Sequence, residues 1–119
     1  MKDLLLGIDI GTSACKAALF SEDGKAVAQT SETYPVYYPR PGWVEQNPQE
    51  WWQAVCRAVR NLMEETGIRP ERIAGIGVDG QSWSAIPVDG EGNCLANTPI
   101  WMDTRAREIC RKVQADGLE

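Results

Sequence analysis

Apolar residues in the first third of the chain form three short runs that turn residues separate. The runs cover residues 4–10, 14–20 and 26–33, and the Asp23-Gly24 pair between the last two is a strong hairpin signal. We therefore predict three antiparallel strands. Residues 34–47 contain three prolines and one glycine, which favours an ordered loop over a helix or a central strand.

A helical pattern follows this loop. Asn47 is the expected N-cap, Pro48 the first helical residue and Gly67 the end of the helix. The apolar face of this helix should belong to the core and comprises Trp51, Val55, Ala58, Val59, Leu62 and Met63. Residues 73–78 predict a buried strand parallel to the first strand, because a helical crossover connects the two.

The last third of the chain predicts a hairpin and a helix. Residues 84–88 and the turn at residues 89–93 favour the hairpin, whereas Asp103 or Thr104 is the expected N-cap of a helix that ends near Gly117. The apolar face of that helix comprises Ala106, Ile109, Cys110 and Val113. The order of strand, strand, strand, helix and strand is that of an α/β domain with a mixed sheet, as at the start of the actin-like ATPase (ribonuclease H-like) architecture.

Composition narrows the class of protein. A length of 119 residues allows one domain, and 12 basic against 17 acidic residues argue against a general nucleic-acid or membrane-surface binder. The four cysteines are widely spaced and the chain has no histidine, so neither a zinc site nor a disulfide framework is indicated. The first apolar run is too short for a signal sequence or a membrane span. We expect a cytoplasmic protein.

Residues 7–16 carry the clearest chemical signal. Gly11 lets main-chain N–H groups approach an anion, Thr12 and Ser13 add donors, and Lys16 adds a positive charge. Asp9 is suited to Mg²⁺, held through water beside phosphate oxygens. Neither a Walker loop nor a dinucleotide fingerprint is present. A nucleotide phosphate site is one interpretation, and a hairpin turn whose polar groups serve only the backbone is the other.

Four motifs in one order resemble a known family. They are Gly7-Ile8-Asp9-Ile10-Gly11-Thr12-Ser13, Gly42-Trp43-Val44-Glu45-Gln46-Asn47-Pro48, Gly80-Gln81, and Ile100-Trp101-Met102-Asp103-Thr104-Arg105. Their order and approximate spacing resemble the N-terminal part of the FGGY carbohydrate kinases, and within that family the chain most resembles xylulokinases.

This resemblance implies an activity and a domain plan. The family phosphorylates a hydroxyl of a sugar or polyol with MgATP, in a cleft between two actin-like domains. Residues 1–119 would be the N-terminal portion of the first, sugar-binding domain of such a kinase. The general base and the second, nucleotide-binding domain would lie outside this truncated chain, which should be inactive alone. Homodimerisation of the complete protein is a further expectation.

The resemblance also implies substrate contacts. Gln81, Ser82 and Trp83 stand where xylulokinases carry a Gln-Met-His segment that contacts the ketose. Ser82 and Trp83 depart from that pattern, because they cannot reproduce the hydrogen bonds of a histidine, although an indole covers an apolar sugar face and donates one N–H. By the resemblance, D-xylulose is the first candidate substrate. Because of the departure at Ser82 and Trp83, L-ribulose, a deoxy-ketose, glycerol or another polyol are alternative candidates.

A later motif completes the expected sugar pocket. Trp101 resembles its aromatic wall, Asp103 a hydroxyl acceptor and Arg105 the partner of Asp103. Structural alternatives remain: Trp83 could fill the core, Asp103 could serve only as an N-cap, and the chain could be a non-catalytic actin-like interaction domain. Residues Trp43, Trp51 and Trp52 are more often packing residues than ligand contacts, and Glu45 and Gln46 would have at most a structural role in the loop.

Overall fold

The computed structural model describes residues 1–117, and Leu118 and Glu119, at the end of the predicted domain, lie outside the described residues. The elements along the chain are β1 (Leu4–Ile10), β2 (Ala14–Ser21), β3 (Ala26–Thr33), β4 (Glu45–Gln46), α1 (Pro48–Thr66), a 3₁₀ helix (Pro70–Arg72), β5 (Ile73–Gly80), β6 (Thr98–Pro99) and α2 (Arg107–Ala115). The chain divides into two compact units. The sheet unit comprises Met1–Pro35 and Pro48–Gln81, and the loop unit comprises Val36–Asn47 and Ser82–Glu119.

The sheet unit contains a four-stranded mixed sheet with the order β3-β2-β1-β5. The β1–β2 and β2–β3 pairs are antiparallel, and β5 is parallel to β1. Gly24 has a φ of 82° in the tight turn between β2 and β3, a conformation that glycine adopts without steric cost. The predicted strands of this sheet, the parallel crossover and the boundaries of α1 are confirmed. The prediction that β5 is buried is wrong for this chain: none of its residues is buried and Val78 is 66% exposed, because β5 is an edge strand and α1 packs on β2 and β3.

The core of the sheet unit lies between one face of the sheet and α1. Alternate residues of β1 and β2 point to this face, among them Leu6 and Leu19, each at most 3% exposed. Ala58 and Leu62 of α1 pack against them and are 0% and 1% exposed. Burying one leucine contributes roughly 1.5–3 kcal/mol, so this interface stabilises both the sheet and the helix. The apolar stripe predicted for α1 is confirmed as core.

The loop unit departs from two sequence predictions. Residues 34–47 were expected to form only a loop, yet β4 pairs with β6, and Tyr37 forms an isolated bridge with Glu45. In contrast, residues 84–88 form no strand. Their predicted hairpin is reduced to a bridge between Val88 and Cys94 around the turn at residues 89–93. The carboxylate of Asp89 accepts hydrogen bonds from the backbone of that turn. Two backbone bonds, from Asp89 N–H to the carbonyl of Asn93 and from Leu95 N–H to the carbonyl of Pro87, join its two arms.

The last helix begins later than predicted. Its N-cap is Ala106 rather than Asp103 or Thr104, and no side chain caps it. Gly117 has a φ of 76° just after the helix, as expected for a helix end. None of the residues of α2 is buried, and Ile109 is 64% exposed, so the predicted apolar face makes no core. Within residues 1–117 no helix combines the length and apolar character that crossing a membrane requires.

Candidate phosphate and sugar sites

Two carboxylates and one ammonium group lie side by side on the open face of the sheet. Asp9 in β1 is directly opposite Lys16 in β2 and directly opposite Asp79 in β5. Paired residues of neighbouring strands project to the same face, and all three side chains line an open groove of about 440 Å³. The prediction that Asp9 and Lys16 belong together is therefore supported by the register, and Asp79 adds a second carboxylate.

The carboxylate oxygens in this groove are suitable ligands for Mg²⁺. Magnesium is bound in proteins by one or two carboxylates together with substrate phosphates and water, and Asp9 and Asp79 could supply those carboxylates. Within residues 1–117 no group of three or more His, Cys, Asp or Glu side chains could hold a metal without a substrate. Oxygen ligands from a nucleotide would complete the shell.

The turn between β1 and β2 follows Asp9 directly. Gly11 N–H donates to the carbonyl of Ala14 at 3.0 Å, which closes the turn. The φ of Gly11 is not positive. Space is tight at this position, because a Cβ atom there would lie 3.1 Å from the Ala14 carbonyl oxygen. Ser13 is exposed in this turn, as a donor to an anion must be.

Two residues from other elements bond to this turn. Tyr34 donates its N–H to the carbonyl of Ser13 at 3.2 Å, and its hydroxyl donates to the carbonyl of Gly11. The side-chain amide of Gln81 donates from Nε2 to the same Gly11 carbonyl at 3.4 Å. The backbone N–H of Gln81 donates to the carbonyl of Ile10 at 2.9 Å. Gln81, expected at the sugar, therefore also supports the phosphate turn.

Sequence reasoning missed Asp79 and Tyr34. Asp79 had a detectable signal, because it lies near the end of an apolar run and precedes a glycine, much as Asp9 stands near the end of its own strand. No sequence signal pointed to Tyr34, because its position next to Gly11 depends on how β3 pairs with β2.

The loop unit contains a compact cluster of charged side chains around Asp103. Its carboxylate accepts the backbone N–H of Val44 at 2.8 Å and that of Arg105 at 3.0 Å. The Arg105 guanidinium donates through Nε and Nη2, the latter at 2.7 Å from Oδ2. These donors, with the guanidinium as the largest cause, lower the pKa of Asp103 from 3.8 to about 2.

Arg105 makes two further contacts, with Glu45 and with Trp43. Its Nη2 lies 2.7 Å from Oε2 of Glu45, and its guanidinium lies over the ring of Trp43, 3.8 Å from the ring centre. The side chain of Asp103 is only 5% exposed, against 26% for Arg105. Bonds to Asp103 and Glu45 raise the pKa of Arg105, so the cluster holds its charges firmly.

This geometry gives Asp103 and Arg105 a structural role within the loop unit. Both carboxylate oxygens of Asp103 accept hydrogen bonds from Val44 or Arg105. Asp103 N–H also donates to the carbonyl of Ile100 at 2.9 Å, closing a turn that presents Trp101. Trp101 is 60% exposed, as an aromatic wall for a ligand would be. Asp103 and Arg105 thus hold the turn that carries Trp101.

The segment expected to discriminate among substrates is exposed. Trp83 is 94% exposed, and it is the one residue other than glycine with a positive φ, 76°, among residues 1–117. The alternative that Trp83 fills the core is therefore wrong. An exposed indole on strained backbone is costly without a partner, and such strain recurs where a side chain meets a ligand. Ser82 is exposed as well.

Comparison with known proteins gives these features a context. The profile of the N-terminal domain of the FGGY family of carbohydrate kinases matches residues 4–119. The chain belongs to the FGGY family. FGGY carbohydrate kinases are phosphotransferases, and the α/β fold with an actin-like mixed sheet that the sequence predicted is confirmed by solved relatives.

Three relatives show how far the likeness extends. A glycerol kinase from Symbiobacterium thermophilum is 36% identical over 98% of this chain and 24% of its own length. The crystal structure of a xylulose kinase from Brucella ovis superposes with a TM-score of 0.90 at 34% identity, over 96% of this chain and 24% of that one. A gluconate kinase from Lactobacillus acidophilus gives a TM-score of 0.87 at 31% identity, over 96% and 23%.

Two consequences follow for this FGGY chain. It spans about a quarter of the length of the curated relatives that it matches. The special likeness to xylulokinases is confirmed only in part, because glycerol, xylulose and gluconate kinases resemble the chain at similar identity. Family membership is therefore established, and the substrate is not.

Proposed function

We propose that the complete protein carrying this chain transfers the terminal phosphoryl group of ATP to a hydroxyl of a small sugar or polyol. The observation that supports this best is the register that places Asp9 between Lys16 and Asp79 beside the turn of Gly11 to Ser13. An acidic pair for Mg²⁺, a cation for phosphate and a turn of backbone donors are the parts that phosphoryl transfer requires.

Each part has a separate task in this proposal. Asp9, with Asp79 beside it, would hold Mg²⁺ next to the phosphate oxygens, and the ion would neutralise charge there when bound. Gly11, Thr12 and Ser13 would orient the phosphates, and Lys16 would offset their negative charge. The general base and the adenine site would come from segments of the complete kinase beyond residues 1–119.

The sugar contacts are proposed for exposed residues. Trp101 would form an apolar wall, and Gln81, Ser82 and Trp83 would discriminate among substrates, whereas Asp103 and Arg105 would hold the Trp101 turn in place. D-xylulose is the first candidate and glycerol the second, the latter because curated relatives at 32–36% identity are glycerol kinases. The four free cysteines fit the reducing cytoplasm, where we place the protein.

The test is a coupled ADP-release assay with the complete protein and a panel of ketopentoses, glycerol and gluconate. Asp9→Asn should lower kcat at saturating MgATP by about a hundredfold while leaving the unfolding midpoint nearly unchanged, because it removes a charge at the reacting phosphates. Asp116→Asn, an exposed carboxylate of α2's end, is the matched control and should leave kcat unchanged. Near wild-type turnover of Asp9→Asn would refute the role.

A further inference from the structure

A single residue holds two carbonyl groups of the phosphate turn. Tyr34 follows β3 directly, and its N–H donates to the carbonyl of Ser13 while its hydroxyl donates to the carbonyl of Gly11. Gln81 is a second, longer donor to Gly11, at 3.4 Å. The turn itself contributes one closing backbone bond, from Gly11 N–H to Ala14. Much of its conformation is thus set by a residue outside it.

The planarity of the peptide bond turns these contacts into an orientation of donors. In a trans peptide the C=O and the following N–H point in opposite directions. Because the carbonyl of Gly11 is directed at the Tyr34 hydroxyl, the N–H of Thr12 must point away from Tyr34. The same argument applies to the carbonyl of Ser13 and the N–H that follows it. Each of these N–H groups therefore points away from the Tyr34 group that holds the preceding carbonyl.

Tyr34 is well suited to hold a fixed direction. It is 7% exposed and belongs to the core cluster with Cys15, Ala54 and Leu62. Burial raises the pKa of its hydroxyl to about 12, with Cys15 and Asp9 adding to the effect. The hydroxyl is therefore protonated, and able to donate, throughout the physiological pH range.

We propose that Tyr34 is a positioning residue for nucleotide binding, which orients the N–H groups of the phosphate turn through its hydrogen bond to the Gly11 carbonyl. This inference rests on the proposed phosphoryl-transfer function. Preorganised donors bind developing charge without the cost of reorganisation, so a loose turn should bind phosphate less tightly while the sugar site is unaffected.

The experiment compares Tyr34→Phe with Tyr38→Phe in the complete protein. Phenylalanine keeps the packing of Tyr34 and removes only the donor, and Tyr38 is a matched control because it is 68% exposed. We expect Tyr34→Phe to raise the KM for MgATP and the Kd of MgADP about tenfold, with the KM for the sugar nearly unchanged. The amides of Gly11 and Tyr34 should exchange faster with solvent. A loss of folded protein alone would lower kcat and leave both KM values in place.

Three outcomes would contradict either the inference about Tyr34 or the proposed function, and they can be told apart. Unchanged MgADP affinity in Tyr34→Phe, with wild-type kinase activity present, overturns the inference and leaves the proposed function standing. A wild-type protein that phosphorylates no sugar or polyol overturns the proposed function and the inference with it. If Tyr34→Phe does not fold, Gln81→Met removes the other donor to Gly11. Its MgADP affinity should fall about threefold, and an unchanged Kd overturns the inference.

Discussion

Replacing Asp103 with asparagine should destabilise the loop unit. Asparagine keeps the size of the side chain but loses the charge, and its NH₂ group would face the N–H donors of Arg105 that the carboxylate now accepts. Arg105 would keep Glu45, at 2.7 Å, as its remaining anion. The change therefore weakens the anchor of the Trp101 turn without leaving a cation unpaired.

The expected magnitude follows from the pKa of Asp103. A decrease from 3.8 to about 2 corresponds to about 2 kcal/mol of stabilisation of the ionised form in the folded state. Losing one or two charge-assisted hydrogen bonds, at roughly 1.5–3 kcal/mol each, gives a similar cost. With a urea m-value of about 1–3 kcal/mol/M for a small domain, the midpoint should shift by about 1–2 M.

The assay is urea unfolding followed by circular dichroism and by amide signals of the loop unit, with Asp116→Asn as the matched control. The pH dependence has a definite sign. Because folding lowers the pKa of Asp103, its contribution is present above about pH 4 and is lost as the pH falls towards 2. The difference between wild type and Asp103→Asn should shrink over that window. Equal midpoints at pH 7, or a difference that persists at pH 2, would refute the reasoning.

Three other predictions concern separate sites. Gly42→Ala should lower the free energy of unfolding by about 2–3 kcal/mol, because Gly42 has a φ of 78° and a Cβ atom would lie 2.8 Å from Oγ1 of Thr104. Gly90→Ala is the control, since a Cβ atom there meets open space, and equal urea midpoints for the two variants would contradict the prediction. Raising the pH from 10 to 12 should destabilise the sheet unit by about 2 kcal/mol, because the pKa of Tyr34 is about 10 in the unfolded chain and about 12 in the folded one. In thermal unfolding at alkaline pH, Tyr34→Phe should not show this decrease in stability. Trp83→His in the complete protein should change the ratio of kcat/KM among ketoses and polyols, and unchanged ratios would exclude Trp83 from the sugar site.

Local pattern was sufficient for the elements whose signals are short-range. The runs of β1 to β3, the Asp23-Gly24 turn, and the Pro48 start of α1 are each encoded within a few residues. The parallel pairing of β5 with β1 could also be predicted, because a helical crossover leaves few alternatives. The residues of the candidate phosphate turn could be proposed for the same reason, since Asp9 and Gly11 to Ser13 lie close together in sequence.

The tertiary structure decided the features that depend on register and long-range contact. Asp79 joins Asp9 only because β5 pairs with β1 at one particular register. Asp103 proves to be occupied by Val44 and Arg105, which a motif of six residues cannot reveal. The exposure of Trp83 likewise depends on what packs around it and not on its own polarity. The sequence by itself determined the short-range elements and offered candidate residues for the site, whereas packing and pairing between distant segments determined which of those residues are exposed.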